Sequence, residues 1–218
     1  MREVKQARGT TISYLRELAK IDEIDEEQFI REEQGRILAL IEGNRSPFRL
    51  ILDVALWQRQ YLEFIEGGVW GKDSRFKFLV LTGPSSFGKT QYAKSLFGSK
   101  STLVVNCQNV LEPNLKPFSR RQHTAIIFDE CSCSTILFSK VTFQASVEGT
   151  MLAQSQCNEH AYWRFLYGIP MIVCCNDWLR GVKDAPDFEW LTTNSIVYNV
   201  ARPTWTEKHE DLLGVIED

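Results

Sequence analysis

Phe76-Lys77-Phe78-Leu79-Val80-Leu81-Thr82 runs directly into Gly83-Pro84-Ser85-Ser86-Phe87-Gly88-Lys89-Thr90-Gln91. The first seven residues are almost continuously apolar, which is how a strand buried on both faces of a parallel sheet reads. From Gly83 to Thr90 the chain fits G-x-x-x-x-G-K-[ST] at every fixed position, and the residues from Lys89 onward read as a helix. Strand, loop and helix in that order predict a phosphate-binding loop. Glycine at 83 and 88 lets backbone amides curl around an anion with no Cβ in the way. The helix start points its dipole and its unpaired amides at the same anion. Lys89 is expected to reach the β- and γ-phosphates of a nucleoside triphosphate, and Thr90 to ligate Mg2+. Pro84, Ser85, Ser86, Phe87 and Gln91 complete the expected nucleotide-binding set.

Working outward, a hydrolase of this kind needs acidic groups at the end of a second buried strand. Thr124-Ala125-Ile126-Ile127-Phe128-Asp129-Glu130 supplies them, delivering both acids to the carboxyl end of the sheet, where ligands of open α/β folds bind. Asp129 is expected to hold Mg2+ through water, and Glu130 to orient and deprotonate the attacking water. The competing reading is that the acids only cap the next segment. A third apolar run, Ile169 to Cys175, ends in Asn176, an amide suited to hydrogen-bond both the γ-phosphate and the lytic water. Taken alone, an asparagine there is also an ordinary turn residue.

Short apolar runs at 76–82, 102–106, 124–128, 170–175 and 195–200, separated by helical or loop segments, predict an α/β fold with a central parallel sheet. The run at 102–106 falls between the phosphate loop and the acid pair. That additional strand, with a glutamate after the aspartate, resembles the additional-strand class of ATPases that includes the AAA+ proteins.

With Asn176 as the third polar strand end, the sequence resembles the superfamily 3 helicases. The likeness is greatest to the helicase domain of rolling-circle replication initiators (Rep proteins) of circular single-stranded DNA viruses and related elements. It covers roughly 68–202. The resemblance implies ATP and Mg2+ as cofactors and single-stranded nucleic acid as partner, DNA before RNA. It also implies a homo-oligomeric, hexameric ring that hydrolyses ATP between subunits during replication of a small viral or virus-derived genome. A neighbouring subunit would contribute an arginine, for which Arg180 is preferred over Arg202, with Arg120 and Arg121 less well placed. The family's pore hairpin finds room at 150–155 and 160–168. Its tip offers Gln154, Gln156, Asn158 and His160 where the family usually has a base, with Lys140 upstream and Arg164 on the returning strand. That departure weakens the expected phosphate grip. Tyr162, Trp163, Phe165 and Tyr167 read more simply as a half-buried strand than as a base-stacking surface. The histidines at 123, 160 and 209 are too far apart for the nuclease centre of such initiators.

The remaining sequence bounds this reading. Residues 1–67 predict three short amphipathic helices, the third starting at Ser46-Pro47 and stopped by Gly67-Gly68, which together form an oligomerisation bundle. Residues 203–218 read as an acidic, weakly structured tail. With 218 residues and 44% hydrophobic content, the chain suits one mid-sized domain with an appendage. No apolar run is long enough for a membrane span, and no secretory leader is legible. Six cysteines without paired C-x-x-C spacing predict a reduced, nuclear or cytoplasmic setting and no zinc site. A net charge of −3 argues against a broad duplex-DNA surface but allows a narrow basic groove. Two other classes stay open: a nucleotide-switched oligomeric scaffold that turns over ATP without moving along nucleic acid, and a P-loop kinase.

Overall fold

The computed structural model describes residues 48–49, 51–66, 76–145, 150–153, 161–183 and 185–205. The first two expected helices, the hairpin tip at 154–160 and the tail beyond Trp205 lie outside the described residues.

In chain order the elements are α1 (Leu52–Glu66), β1 (Phe78–Thr82), α2 (Lys89–Phe97), β2 (Thr102–Asn106), β3 (Ala125–Asp129), α3 (Cys133–Phe138) and α4 (Lys140–Gln144). They continue with β4 (Thr150–Ala153), β5 (Ala161–Arg164), β6 (Met171–Cys175), α5 (Trp178–Lys183), α6 (Phe188–Asn194) and β7 (Ser195–Asn199). Five strands form one parallel sheet in the order β2-β3-β6-β1-β7, and β4 pairs antiparallel with β5 in a separate hairpin. The acidic strand β3 is thus separated from β1 by β6. Register places Cys175 and Asn199 opposite Thr82, and Cys174 and Asn106 opposite Asp129. The carboxyl ends of all five strands therefore finish along one edge, the edge from which the loop at 83–88 leaves β1.

Alternation along each strand divides the core between two faces. Leu79, Leu81, Ile127, Ile172 and Cys174 face α1 and α2, meeting Val54, Trp57, Tyr61, Tyr92, Leu96 and Phe97. Phe78, Val80, Ile126, Phe128 and Val173 face the other way, against Ile136, Phe143, Trp178, Val182 and Leu191 of α3 to α6. Both faces being covered is why these strands read as unbroken apolar runs.

α1 is the third helix expected from the sequence, and it packs on the sheet. Trp57 and Tyr61 are fully buried among Phe76 and Phe97, with the Trp57 indole N–H donating to the Lys77 carbonyl at 2.9 Å and the Tyr61 hydroxyl to the Gly168 carbonyl at 2.8 Å. Its start differs from the Ser46-Pro47 expectation: Phe48 and Arg49 are not helical, because Phe48 bridges Trp205 in antiparallel fashion. β5 is shorter than its aromatic run suggests. Phe165 and Tyr167 leave the strand and are buried, as the core reading of those rings expects. No helix among the described residues is long and apolar enough to cross a membrane.

Candidate functional site

The loop between β1 and α2 departs from regular structure at three positions. Gly83 has φ 146° and Gly88 φ 78°, while Ser86 at φ 66° occupies a left-handed conformation that costs a residue with a Cβ of the order of 1 kcal/mol or more. Glycine at 83 is also a steric requirement. The Val200 amide donates to the Thr82 carbonyl at 2.7 Å, and a Cβ on Gly83 would come within 2.4 Å of the Val200 carbonyl oxygen.

Lys89 begins α2 and is buried. A buried ammonium must be paired, and this one donates to the carbonyls of Gly83 and Pro84 at 2.8 Å each and to Asn176 Oδ1 at 2.9 Å. Thr90, next in the helix, donates its hydroxyl to Asp129 Oδ1 at 2.7 Å. Asn176 in turn donates through Nδ2 to Glu130 Oε2 at 3.1 Å. Five of the residues singled out from the sequence thus form two adjacent hydrogen-bonded sets, Lys89–Asn176–Glu130 and Thr90–Asp129, across the ends of β1, β3 and β6.

The backbone after β3 aims the two acids. Glu130 has φ 53°, a strained turn for a β-carbon residue, and its neighbours are pinned: Cys107 N–H donates to the Asp129 carbonyl at 2.8 Å and Cys131 N–H to the Cys174 carbonyl at 3.1 Å. Asp129 is half-buried while Glu130 and Asn176 are exposed, so Asp129 sits deeper than Glu130. Pro84, Ser85, Ser86 and Gln91 are exposed around the loop, and Phe87 is half-buried.

Beneath this cluster lie thiols. Burial pushes the Cys174 thiol well above its usual range, with the Asp129 charge adding to the effect, and burial pushes Cys175 up to about 11. Cys133 is pushed up to about 12, again chiefly by burial. These groups stay neutral near pH 7 and act as small apolar side chains. Among the described residues, no set of three His, Cys, Asp or Glu side chains is arranged to hold a metal ion. A magnesium ion delivered with a nucleotide needs only one or two protein oxygens, and the Thr90 hydroxyl beside the Asp129 carboxylate is a pair of that hard-oxygen type.

Arg180 lies in α5, exposed, and does not join the cluster within the chain; Arg202 is exposed beyond β7. Arg120 is directed elsewhere, donating to the Tyr167 carbonyl at 2.8 Å and lying over the Phe165 ring. Arg164 donates to the Leu115 and Lys116 carbonyls and lies over the Tyr162 ring, and Lys140 pairs with Asp187 over Trp190.

Three contacts had no signal in the sequence. Thr82 is buried and its hydroxyl accepts from the Trp178 amide at 3.2 Å, linking β1 to the turn after Asn176. Pro203 to Trp205, assigned from sequence to the weakly structured tail, instead closes over the loop. Thr204 is buried, and both its amide and its hydroxyl donate to the Phe87 carbonyl at 3.0 Å. A Cβ on Gly88 would come within 2.6 Å of the Thr204 hydroxyl and 3.0 Å of the Trp205 ring. Arg49, from the segment before α1, donates to Trp205 O through Nε at 2.7 Å. Neither periodicity nor motif spacing marks residues so far apart in the chain as partners. No protein-family model and no curated protein sequence matches the chain, so the reading of the site rests on its own residues and their geometry.

Proposed function

We propose that the chain is a Mg2+-dependent ATPase of the additional-strand P-loop class. The observation that carries this reading is the single cluster joining Lys89, Asn176 and Glu130 with Thr90 and Asp129 beside it. The placement of β6 between β1 and β3 supports the additional-strand assignment.

In this reading the triphosphate enters the loop and Lys89 exchanges its Gly83 and Pro84 carbonyl partners for phosphate oxygens, which relieves the loop of holding its own cation. Loop amides and the start of α2 bind the remaining phosphate charge. Thr90 and Asp129 would hold magnesium, which would supply positive charge against the charge developing on the phosphoryl oxygens. Glu130 accepts the proton of the attacking water. Asn176 touches both Lys89 and Glu130, so its amide is placed to report whether the γ-phosphate is present.

The proposal extends to a superfamily 3-type motor on single-stranded nucleic acid, working as a ring in which Arg180 of one subunit reaches the γ-phosphate held by the next. A second reading, a nucleotide-switched oligomer without translocation, is favoured by one observation. Arg164 of β5 and Lys140 upstream of the hairpin are engaged within the chain by Leu115, Lys116 and Asp187. The experiment is ATP turnover by purified protein with and without single-stranded DNA or RNA, using Lys89→Ala as control. Turnover that vanishes in Lys89→Ala and rises with a single strand supports the motor. Turnover indifferent to nucleic acid supports the switched oligomer, and full activity in Lys89→Ala sinks the ATPase reading.

A further inference from the structure

The phosphate end of the site lies across the ends of β1, β6 and β3, which carry Lys89, Asn176, Asp129 and Glu130. A nucleoside triphosphate whose terminal phosphate meets these groups has room to extend its sugar and base the opposite way, toward β7, which lies on the other side of β1 from β6. On that side the chain that leaves β7 turns back over the loop. Thr204 is anchored twice on the Phe87 carbonyl. The next residue, Trp205, lies with its ring 3.0 Å from where a Cβ on Gly88 would sit.

Trp205 is half-buried. It is held from behind by the segment before α1. Phe48 pairs with it as an isolated antiparallel bridge, the Arg49 amide donates to the Thr204 carbonyl at 2.8 Å, and Arg49 Nε donates to the Trp205 carbonyl at 2.7 Å. Phe48 is itself set edge-on against Tyr92 of α2, with ring centroids 5.9 Å apart. An aromatic residue whose backbone is pinned, directly and through Thr204, by hydrogen bonds to two remote segments, beside the bare backbone of the loop at Gly88, is preorganised for stacking at little entropic cost.

Resting on the phosphate-loop reading, we infer that Trp205, braced by Phe48 and Arg49, forms the wall on which the purine base of the bound nucleotide stacks. Trp205 is a binding residue in this assignment, and Arg49 and Phe48 are positioning residues. Base–aromatic stacking is sequence-tolerant, so ATP and GTP are both expected to use this wall.

The test compares ligands that share the triphosphate but differ in the base. Titration calorimetry with Mg-ATP, Mg-GTP and Mg-tripolyphosphate is run on the full chain and on Trp205→Leu and Trp205→Phe, with thermal melts as the folding control. Trp205→Leu is expected to weaken both nucleotides about tenfold while leaving tripolyphosphate unchanged, and Trp205→Phe to recover most of the loss. Equal loss for nucleotide and tripolyphosphate would overturn the inference, because Trp205 would then only brace the loop. Unchanged nucleotide affinity in Trp205→Leu would overturn it as well. Tripolyphosphate and nucleotide both failing to bind the unaltered chain would remove the phosphate-loop reading, and the base wall with it.

Discussion

The Lys89 ammonium donates to the Asn176 side-chain carbonyl at 2.9 Å across 87 positions of sequence. The contact exists because β6 lies directly beside β1, with Cys175 in register with Thr82. Asn176 passes the connection to Glu130, so one amide touches both the cation proposed to bind phosphate and the acid proposed to activate water.

Asn176→Ala is expected to lower kcat about 10²-fold with a much smaller change in KM, since the amide acts where charge develops rather than where the nucleotide is anchored. Steady-state kinetics check this, and an unchanged kcat would remove Asn176 from the catalytic set.

Glu130→Gln keeps the side chain's shape and an oxygen to accept from Asn176 Nδ2, but it cannot take a proton from water. Turnover should fall below detection while Mg-ATP affinity is retained. Retained phosphoryl transfer to an acceptor other than water in this variant would favour the kinase class.

Gly83→Ala places a Cβ 2.4 Å from the Val200 carbonyl oxygen at a φ of 146°. Val200 cannot withdraw without breaking its hydrogen bond to Thr82. A loss of about 1–3 kcal/mol in urea unfolding is expected, together with loss of nucleotide binding.

Trp57→Ala removes a fully buried ring packed on Tyr61, Phe76 and Phe97 and orphans the Lys77 carbonyl. A destabilisation of about 3–5 kcal/mol by urea unfolding is expected. A loss below about 1 kcal/mol would show that α1 is not integral to the sheet's core.

Alkaline pH should destabilise the fold through the buried thiols. Cys175 is raised to about 11 in the folded chain, so the unfolded chain loses this proton first as pH rises above the ordinary thiol range near 8.5. Stability is full below that range and declines as pH climbs toward 11, by up to about 1.4 kcal/mol per pH unit for the thiol. Urea midpoints between pH 7.5 and 10.5 measure the slope, and Cys175→Ala should make it shallower.

Much of the α/β unit was legible because its strands are short and largely apolar, with β1, β3 and β6 buried along nearly their whole length. The run at 102–106 matched β2 residue for residue, and the others differed from β1, β3, β6 and β7 by one or two residues at their ends. Such ends are set by hydrogen bonding and burial: the Thr124 hydroxyl bonds the Phe97 carbonyl rather than extending β3, and Phe76 packs on Trp57 and Tyr61 ahead of β1. The start of α1 was misplaced because Ser46-Pro47 is a sound local signal for a helix start, yet pairing of Phe48 with Trp205 prevails over local preference.

By itself, the sequence determined the chemical types at the candidate site. Glycines at 83 and 88, a lysine and threonine opening a helix, and polar residues ending apolar strands are local patterns, and each is readable because the backbone nearby demands it. Which strand ends become neighbours was decided only by the tertiary structure. The order β3-β6-β1 brings Asp129 to Thr90 and Asn176 to Lys89, and the chain beyond β7 lays Thr204 and Trp205 on Gly88. The physical reason is range. Periodicity and loop motifs report forces that act over a few residues, whereas sheet order and the closure of Trp205 over the loop come from burying both faces of the sheet together.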